Sequence, residues 1–429
     1  IGGDGLFGGA TLAIKGGSSD PTLVAGSNGG HDACRVCHSV SLDGSRMIVQ
    51  QGLDYGASSS YALNGAYAET PYGAGDIGKF GWIGMYPDGS IGLSNGAPLH
   101  AKELPASQLY DMATAAVVPS VGLEAFVTKA GFPAFSPDGK HVAFSLYTGA
   151  GTAETGPGDG SQLVAMDFDR TTNTFSNPKL LYKAPADKAP GWVSFLPTND
   201  AVVFAVQSRA NLKNEFMMTR YGARGELYWS DLATGTAHSL DMANGKEAGV
   251  SYLPSGANAH DDDTTLQYEP TINPVVSGGY AWVVFMSRRM YGNVATIDPW
   301  WSDPREHDLT VAPTPKKLWV AAIDLNAPAG TDPSHPAFYL PAQELYAGNT
   351  RGFWVVDPCK SDGNACESGD ECCGGYCQYN ADAGGLICSN HKTECSNEYE
   401  KCEVASDCCD ALNGMLCING RCAKPAPPK

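Results

Sequence analysis

The chain has 429 residues, of which 43% are hydrophobic and 17% are charged, so it can bury a sizeable core. Its net charge of −18 repels phosphate backbones and anionic lipid, which argues against a nucleic-acid partner or a membrane-surface partner. No apolar run approaches the roughly 20 residues that a transmembrane helix needs. The 51 glycines and 28 prolines follow no collagen-like period, and this composition indicates many turns and an all-β fold.

The N-terminal region contains one predicted strand, Ala10–Lys15, and then the motif C-x-x-C-H within HDACRVCH, residues 31–38. At this spacing the thiols of Cys34 and Cys37 can add across the two vinyl groups of haem, and His38 can supply the proximal iron ligand. The motif resembles the attachment site of c-type cytochromes. The resemblance implies one covalent haem c, held by the two cysteines, with its iron bound to His38.

Other interpretations of the motif remain open. Cys34 and Cys37 could form a disulfide, contribute to a zinc site or act as a thioredoxin-like redox pair. A zinc site lacks a second ligand pair at zinc spacing outside the C-terminal region, and a redox pair lacks a βαβ context. Residues 1–358 contain no other cysteine, which favours a shared role for these two. The surroundings differ from those of small helical cytochromes, since a strand is predicted immediately after the motif.

Pairs of short strands joined by a tight turn recur along most of the chain. Ala130–Tyr147 shows the pattern best, with the turn SPDG, and Val40–Val49 and Trp82–Leu93 repeat it with SLDG and YPDG. The Asp-Gly pair supplies the positive-φ positions that a hairpin turn requires. Weaker copies begin at Gly191 and Tyr268. Third strands are predicted at Gln162–Asp167, Glu226–Asp231 and Leu318–Asp324.

Repeats of this size made of short strands predict a β-propeller. The segment FPAFSPDGKHVAFS resembles the TolB-type, WD40-like propeller repeats of secreted bacterial proteins, and the resemblance covers residues 30–355. Five repeat starts and a final strand at Gly352–Val356 predict six blades. Ala10–Lys15 is expected to complete the last blade and close the ring. A pair of β-sandwiches is the alternative architecture.

The sixth iron ligand decides the chemistry of a haem. A His or Met there gives electron transfer, and an open position gives ligand binding or peroxide chemistry. In a propeller, the segments before the innermost strands gather on one face around the central channel. His260 lies in such a segment and His31 lies close to the motif, so these two are the candidate distal ligands. Met47 and Met85 are further candidates.

Two weaker patterns precede the C-terminal region. Asp261, Asp262 and Asp263, together with Glu269, offer carboxylate oxygens of the kind that Ca²⁺ binds, and a solvated acidic loop is the alternative. The aromatic cluster of Asp298–Trp301 and Tyr291 could stack on a sugar or form a buried blade edge.

Twelve of the 14 cysteines lie between Cys359 and Cys422, in two copies of the pattern C-x6-C-x5-C-C. So dense and even a set predicts a disulfide framework, which persists only in an oxidising compartment. The pattern resembles the inhibitor cystine knot, or knottin. The resemblance implies first-to-fourth, second-to-fifth and third-to-sixth pairing in each copy: Cys359–Cys373, Cys366–Cys377, Cys372–Cys388, Cys395–Cys409, Cys402–Cys417 and Cys408–Cys422.

We therefore expect a propeller at residues 1–357, with the haem site near residues 31–38, and two knottin-like modules at 358–391 and 392–429. The second module ends in a proline-rich segment. Each module has about 30 residues and almost no aliphatic core, so disulfides have to hold it. The modules could act as a protease-resistant cap or spacer, or they could bind a polysaccharide or a protein.

These features predict a secreted mono-haem c-type cytochrome on a propeller, located extracellularly, at the cell surface or in the periplasm. We expect it to transfer electrons to a redox partner protein or through self-assembly. We expect no enzymatic activity unless the iron has an open position for oxidase or peroxidase chemistry. The alternative is a non-enzymatic binding or assembly protein that recognises a glycan or a protein.

Overall fold

The computed structural model divides the chain into two units, Ile1–Val355 and Val356–Lys429. In the first unit it describes residues 9–14, 19–26, 34–51, 57–63, 67–72, 80–96, 106–147, 159–210, 215–216, 219, 223–254, 263–289, 291, 316–328, 330–343 and 348–355. In the second unit it describes residues 360, 362–367, 369, 372, 375–380, 383–390, 395–418 and 420–424.

The first two strands pair with each other. β1 (Thr11–Ala13) and β2 (Thr22–Ala25) form an antiparallel two-stranded sheet. The Arg35 backbone N–H donates to the Gly9 carbonyl at 2.8 Å, and the Thr11 hydroxyl donates to the Arg35 carbonyl at 3.0 Å. The hairpin is thus fastened to the chain segment that contains the cysteine motif.

Among the described residues of the first unit, five antiparallel sheets each contain four strands in chain order, with an extra short strand in the fourth. This is the arrangement of propeller blades. Blade 1 contains β3 (Val36–Val40), β4 (Arg46–Gln51), β5 (Ala57–Ala62) and β6 (Glu69–Pro71). Blade 2 contains β7 (Gly84–Met85), β8 (Ile91–Leu93), β9 (Leu109–Asp111) and β10 (Val117–Val118).

The helix α1 (Leu123–Phe126) leads into blade 3. Blade 3 contains β11 (Lys129–Phe135), β12 (His141–Tyr147), β13 (Asp159–Asp169) and β14 (Thr174–Lys183). Blade 4 contains β15 (Lys188–Phe195), β16 (Ala201–Ala210), the extra strand β17 (Glu215–Phe216), β18 (Gly225–Asp231) and β19 (Ala237–Ser239). The third strands predicted in these two blades are confirmed as β13 and β18.

Short elements connect blade 4 to blade 5. They are the helix α2 (Asp241–Asn244), the hairpin of β20 (Lys246–Glu247) and β21 (Val250–Ser251), and a 3-10 helix at Asp263–Thr265. Blade 5 contains β22 (Gln267–Ile272), β23 (Tyr280–Ser287), β24 (Lys317–Asp324) and β25 (Phe338–Tyr339). The strand predicted at Leu318–Asp324 is confirmed as β24.

The Asp-Gly turns join the first and second strands of the first three blades, as predicted. Gly44, Gly89 and Gly139 have φ values of 71°, 66° and 71°, in the left-handed region that glycine favours. The aspartate before each glycine accepts a backbone N–H two residues further on, for example from Lys140 to Asp138 Oδ1 at 3.1 Å. The side chain thereby replaces a backbone partner inside the turn.

Neighbouring blades pack face to face through apolar clusters. Ile48 of blade 1 contacts Met85 and Tyr110 of blade 2, and equivalent clusters join blades 2 and 3, 3 and 4, and 4 and 5. These side chains are buried, and their removal from water is the main favourable term for a fold of this kind.

The expectation of six blades is wrong, because five four-stranded blades are present in the described part of the chain. The predicted strand Ala10–Lys15 pairs with β2 in a separate hairpin and adds nothing to the last blade. Gly352–Val355 is irregular, so the predicted strand at Gly352–Val356 is also absent from the residues that are described there.

A segment that we call the closing strap, residues 349–355, connects blade 5 to blade 1. The Thr271 hydroxyl donates to the Gly352 carbonyl at 2.5 Å, and the Trp354 indole N–H donates to the Thr271 carbonyl at 3.3 Å. The Phe353 ring lies 5.2 Å from the His38 ring of blade 1. The strap, rather than a shared strand, therefore spans the two blades.

The second unit contains two β-hairpins, one in each cysteine-rich copy. The first has β26 (Tyr376–Asn380) and β27 (Gly385–Ser389), and the second has β28 (Leu416–Ile418) and β29 (Arg421–Ala423). Two 3-10 helices, Ala405–Asp407 and Ala411–Asn413, precede the second hairpin. Isolated bridges repeat at matching places, Lys360 with Cys372 and Ser396 with Cys408, so the two copies share a fold.

Five disulfides hold the second unit: Cys366–Cys377, Cys372–Cys388, Cys395–Cys409, Cys402–Cys417 and Cys408–Cys422. They are five of the six pairs that the knottin resemblance implies. Cys359 and Cys373, the sixth pair, lie outside the described residues. No helix in the described part of the chain is long and apolar enough to cross a membrane.

Candidate functional site

Five side chains meet at the centre of the propeller, one from each blade. We call them the axial ring: Cys37, Trp82, Phe132, Trp192 and Glu269. All five have left-handed backbone, with φ between 49° and 58°. In four blades the residue sits in a β-bulge of the innermost strand, and in blade 2 it lies two residues before the start of β7. A bulge re-aims one side chain out of the alternation of a strand, and here it directs that side chain to the axis.

The aromatic members of the axial ring contact each other across the axis. The Trp82 and Trp192 ring centroids are 5.2 Å apart although these residues belong to blades 2 and 4. The Phe132 and Trp192 centroids are 3.9 Å apart. The rings of Phe132 and Trp192 are almost completely buried and pack against each other.

The cysteine motif begins just before β3 and runs into it, so it belongs to the innermost strand of blade 1. Cys34 is half-buried, Cys37 is buried, and both are free thiols. A Cβ atom on Gly9 would meet Cys34 Sγ at 2.5 Å, so the N-terminal hairpin segment covers this thiol. Burial, together with the nearby Glu269, raises the pKa of the Cys37 thiol, which is therefore protonated at neutral pH.

His38 is half-buried beside the closing strap. Its ring is tilted against the Phe353 ring. Burial, with the nearby Arg351 guanidinium, lowers the pKa of His38 to about 4. The imidazole is therefore neutral at neutral pH and carries the lone pair that a metal ligand needs.

A shallow groove of about 280 Å³ lies beside the motif. It is lined by Leu23–Gly26 of the N-terminal hairpin and by Arg35, Tyr61 and Glu69. Arg35, which stands between the two cysteines in sequence, donates to Glu69 at 2.8 Å and to the Tyr61 hydroxyl at 3.2 Å. The groove is at the small end of the range for ligand pockets.

Glu269 is the acidic member of the axial ring and is buried. Its Oε1 accepts a hydrogen bond from the Thr219 hydroxyl at 3.4 Å, and that hydroxyl in turn accepts one from Lys316 Nζ at 2.6 Å. It also accepts the backbone N–H of Arg351. Burial raises the pKa of Glu269, while Lys316 and Arg351 oppose the shift.

Several predicted site residues lie away from the cysteine motif or outside the described part of the chain. His31, His260, Asp261, Asp262 and the cluster Asp298–Trp301 are not among the described residues. Met47 and Met85 are buried in separate apolar clusters of blades 1 and 2. Asp263 is buried in a 3-10 helix, and Glu269 faces Thr219 and Lys316, so the proposed calcium ligands stay a prediction.

Neither the axial ring nor the closing strap was predicted from the sequence. A signal for the ring was present, since Cys37, Trp82 and Phe132 each precede the turn glycine of their blade by seven residues. Trp192 precedes Asn199, which replaces the glycine with a φ of 65°, by the same interval. Arg351 and Phe353 carried no comparable signal, because they lie in an irregular segment.

The donor set of the motif fits a covalently attached haem. Two unpaired thiols stand three residues apart, and the next residue is a neutral imidazole. These are the groups that thioether formation and iron ligation require. The strand setting differs from the helical setting that small cytochromes use.

No family model and no curated protein matches the sequence. Solved structures that resemble the fold include a protein assigned as TolB from Agrobacterium tumefaciens (16% identity, TM-score 0.36, covering 54% of this chain and 73% of that one). TolB from Acinetobacter baumannii (13%, 0.37, 64% and 56%) and hydrazine synthase from Kuenenia stuttgartiensis (13%, 0.35, 71% and 83%) are similar at the same level. The chain thus has TolB-like propeller neighbours, and at these scores the likeness carries no argument about activity.

Proposed function

We propose that the chain is a secreted c-type haem protein that transfers electrons. One haem is joined to Cys34 and Cys37, and its iron is bound to His38. The observation that carries the proposal is the state of the two thiols. Every other described cysteine is in a disulfide, whereas Cys34 and Cys37 are not joined to each other.

Disulfides in the second unit call for an oxidising compartment. Two neighbouring thiols in such a compartment need protection, and conversion to thioethers provides it. In that reaction each S–H adds across a vinyl double bond, so one C–S bond and one C–H bond form with no net oxidation. Attachment of haem c takes place outside the cytoplasm, which agrees with the same compartment.

His38 supports the proposal because a neutral imidazole is the form that binds iron. The bound group supplies a one-electron iron couple. The protein's own residues would hold the group through β3, with the N-terminal hairpin over Cys34 and Phe353 against the imidazole of His38. Such contacts would keep His38 in one position, which suits electron transfer more than substrate turnover.

A pyridine haemochrome spectrum tests the proposal on full-length protein secreted from a host that attaches haem c. We expect one thioether-linked haem per chain. The variant Cys34→Ser should lose one thioether, and Cys34→Ser/Cys37→Ser should lose covalent haem entirely. The matched control Cys402→Ser/Cys417→Ser, in the second unit, should retain it. A secreted, folded wild-type protein without haem would overturn the proposal.

A binding role for the second unit is the second candidate. Tyr379 is 71% exposed and lies opposite Leu386, which is 43% exposed, across the hairpin of the first module. An exposed aromatic ring of this kind can stack on a sugar ring. Binding on a glycan array that is lost in Tyr379→Ala, in a protein without haem, would favour this candidate over the cytochrome.

A further inference from the structure

The closing strap places a charged side chain at the centre of the propeller. Arg351 is only 6% exposed. A guanidinium carries five N–H donors and stays positively charged in proteins. Burial lowers the pKa of Arg351 to about 10, which still leaves it protonated at neutral pH.

The guanidinium of Arg351 is held by aromatic rings. Its Cζ atom lies 5.4 Å from the Trp192 ring centroid and 4.8 Å from that of Phe353. Cation–π contacts of this kind engage the flat faces of the guanidinium. The N–H donors lie on the edge of the group.

One of these donors lacks a protein partner. The buried Nε of Arg351 has no hydrogen-bond partner, and the guanidinium interacts electrostatically with the Glu269 carboxylate. The Trp192 indole N–H, on a residue that is 1% exposed, is also without a partner. Each of these buried donors costs free energy while it is unpaired.

The charge around these donors favours an anion. Arg351, Lys316 and Arg288 are buried cations near one buried carboxylate, Glu269. Glu269 accepts hydrogen bonds from the Thr219 hydroxyl and from the backbone N–H of Arg351, and the Arg351 guanidinium interacts with it electrostatically. An acceptor with two oxygens would match the forked donors of a guanidinium better than a spherical ion.

We propose that the centre of the propeller binds a carboxylate group, which Arg351 holds in a bidentate manner with help from the Trp192 indole N–H. The carboxylate has two sources: a free small molecule, or a carboxylate side chain of the attached haem. The second source rests on the proposed function, and Phe353 contacts both His38 and Arg351. The first source is independent of it.

The first arm of the test uses the full chain with Cys34→Ser/Cys37→Ser, which carries no haem. Acetate is titrated at neutral pH against chloride of the same ionic strength, and binding is followed by tryptophan fluorescence and by the melting temperature. We expect saturable binding. In the same background, Arg351→Gln should raise the dissociation constant about tenfold or more, and Arg351→Lys should raise it less, because the charge remains without the fork.

The variant Arg170→Gln is the matched control. Arg170 also stacks on an aromatic ring, that of Tyr86 at 5.7 Å, but it lies away from the axis and donates to Asn173. Its removal should leave acetate binding unchanged. Absence of saturable acetate binding in the folded, haem-free protein would overturn the proposal, and so would equal binding in Arg351→Gln.

The second arm repeats the titration with haem attached. Loss of acetate binding on attachment, together with a lower midpoint potential in Arg351→Gln, assigns the site to a haem carboxylate. Acetate binding that persists with haem attached assigns it to a free carboxylate. If no haem attaches, the proposed function fails while the first arm still decides the carboxylate site.

Discussion

At the residue scale, Glu269 is the clearest case of a side chain whose protonation state depends on its surroundings. The bulge in β22 turns it to the axis, where burial disfavours its charged form. Lys316 and Arg351 favour the charged form, but burial outweighs them, and the pKa of Glu269 rises above its ordinary value of 4.5. The folded protein therefore holds this proton more tightly than the unfolded chain.

This shift predicts a pH-dependent difference between the wild type and Glu269→Gln, whose side chain has the same shape and does not titrate. The stabilising effect of a raised pKa is complete below about pH 4.5 and is lost as pH rises through the folded value. Between about pH 4 and about pH 8 the wild type should lose about 1.4 kcal/mol relative to the variant for each unit of the shift.

Urea unfolding at several pH values measures this difference. Glu247→Gln, which changes an exposed glutamate in β20, should parallel the wild type. A wild type that gains stability over Glu269→Gln as pH rises would show that the cations, not burial, dominate at this position.

At the element scale, the hairpin turns connect local sequence to the packing of neighbouring blades. Gly139 ends the SPDG turn of blade 3 with left-handed backbone, and a Cβ there would overlap the Tyr86 hydroxyl of blade 2. Tyr86 packs in turn on Phe135 and Phe168, at centroid distances of 5.5 and 6.0 Å. Glycine at this position therefore allows both the left-handed turn of blade 3 and the close approach of Tyr86 from blade 2.

We predict that Gly139→Ala destabilises the propeller by about 2–5 kcal/mol, the sum of left-handed strain and displacement of Tyr86. Gly278→Ala is the matched control. Gly278 has a φ of 63°, but the nearest atom to its Cβ would be 3.9 Å away, so only about 1–2 kcal/mol of strain is expected. Thermal unfolding compares the two, and equal losses would refute the contribution of the blade contact.

The hairpin turns and the strands beside them could be predicted because the residues that specify them are close together in the sequence. The Asp-Gly turns and the third strands β13, β18 and β24 follow from alternation and turn residues within a few positions. In blade 4, Asn199 takes the place of the turn glycine, which is why that repeat was weaker in the sequence. The bulge of a single blade could not be predicted from its residue type, since Cys37, Phe132 and Glu269 share no side-chain chemistry.

At the scale of the whole molecule, the two units are stabilised in different ways. All five that are described lie in the second unit, whereas the first unit is held by apolar clusters between blades. Each disulfide of this unit spans 11 to 16 residues. A loop of about 15 residues gives about 3 kcal/mol of stabilisation when it is cross-linked.

We predict that a thiol reductant unfolds the second unit and leaves the propeller folded. Hydrogen exchange on the full chain should show loss of protection in β26–β29 and unchanged protection in β11–β16. Covalent haem, being held by thioethers, should stay attached under the same conditions. Loss of protection across the blades on reduction would contradict this division.

The number of blades could not be read from the chain because ring closure depends on contacts between distant segments. Ala10–Lys15 has a strand pattern, but nothing local shows that its partner is β2 and not blade 5. The strap likewise reaches His38 through Phe353, more than 300 residues away in sequence. A disulfide framework could be anticipated from the dense and even set of cysteines, and the pairs were implied by the resemblance to the knottins.

The axial ring has a further consequence for how such a molecule can change over time. Its five positions share one backbone conformation, yet they hold a thiol, two indoles, a phenyl ring and a carboxyl group. The backbone thus directs five side chains to the axis in a similar way. A single substitution at one of these positions can therefore introduce a new chemical group at the axis. A propeller of duplicated blades can in this way acquire an asymmetric centre without any alteration of its architecture.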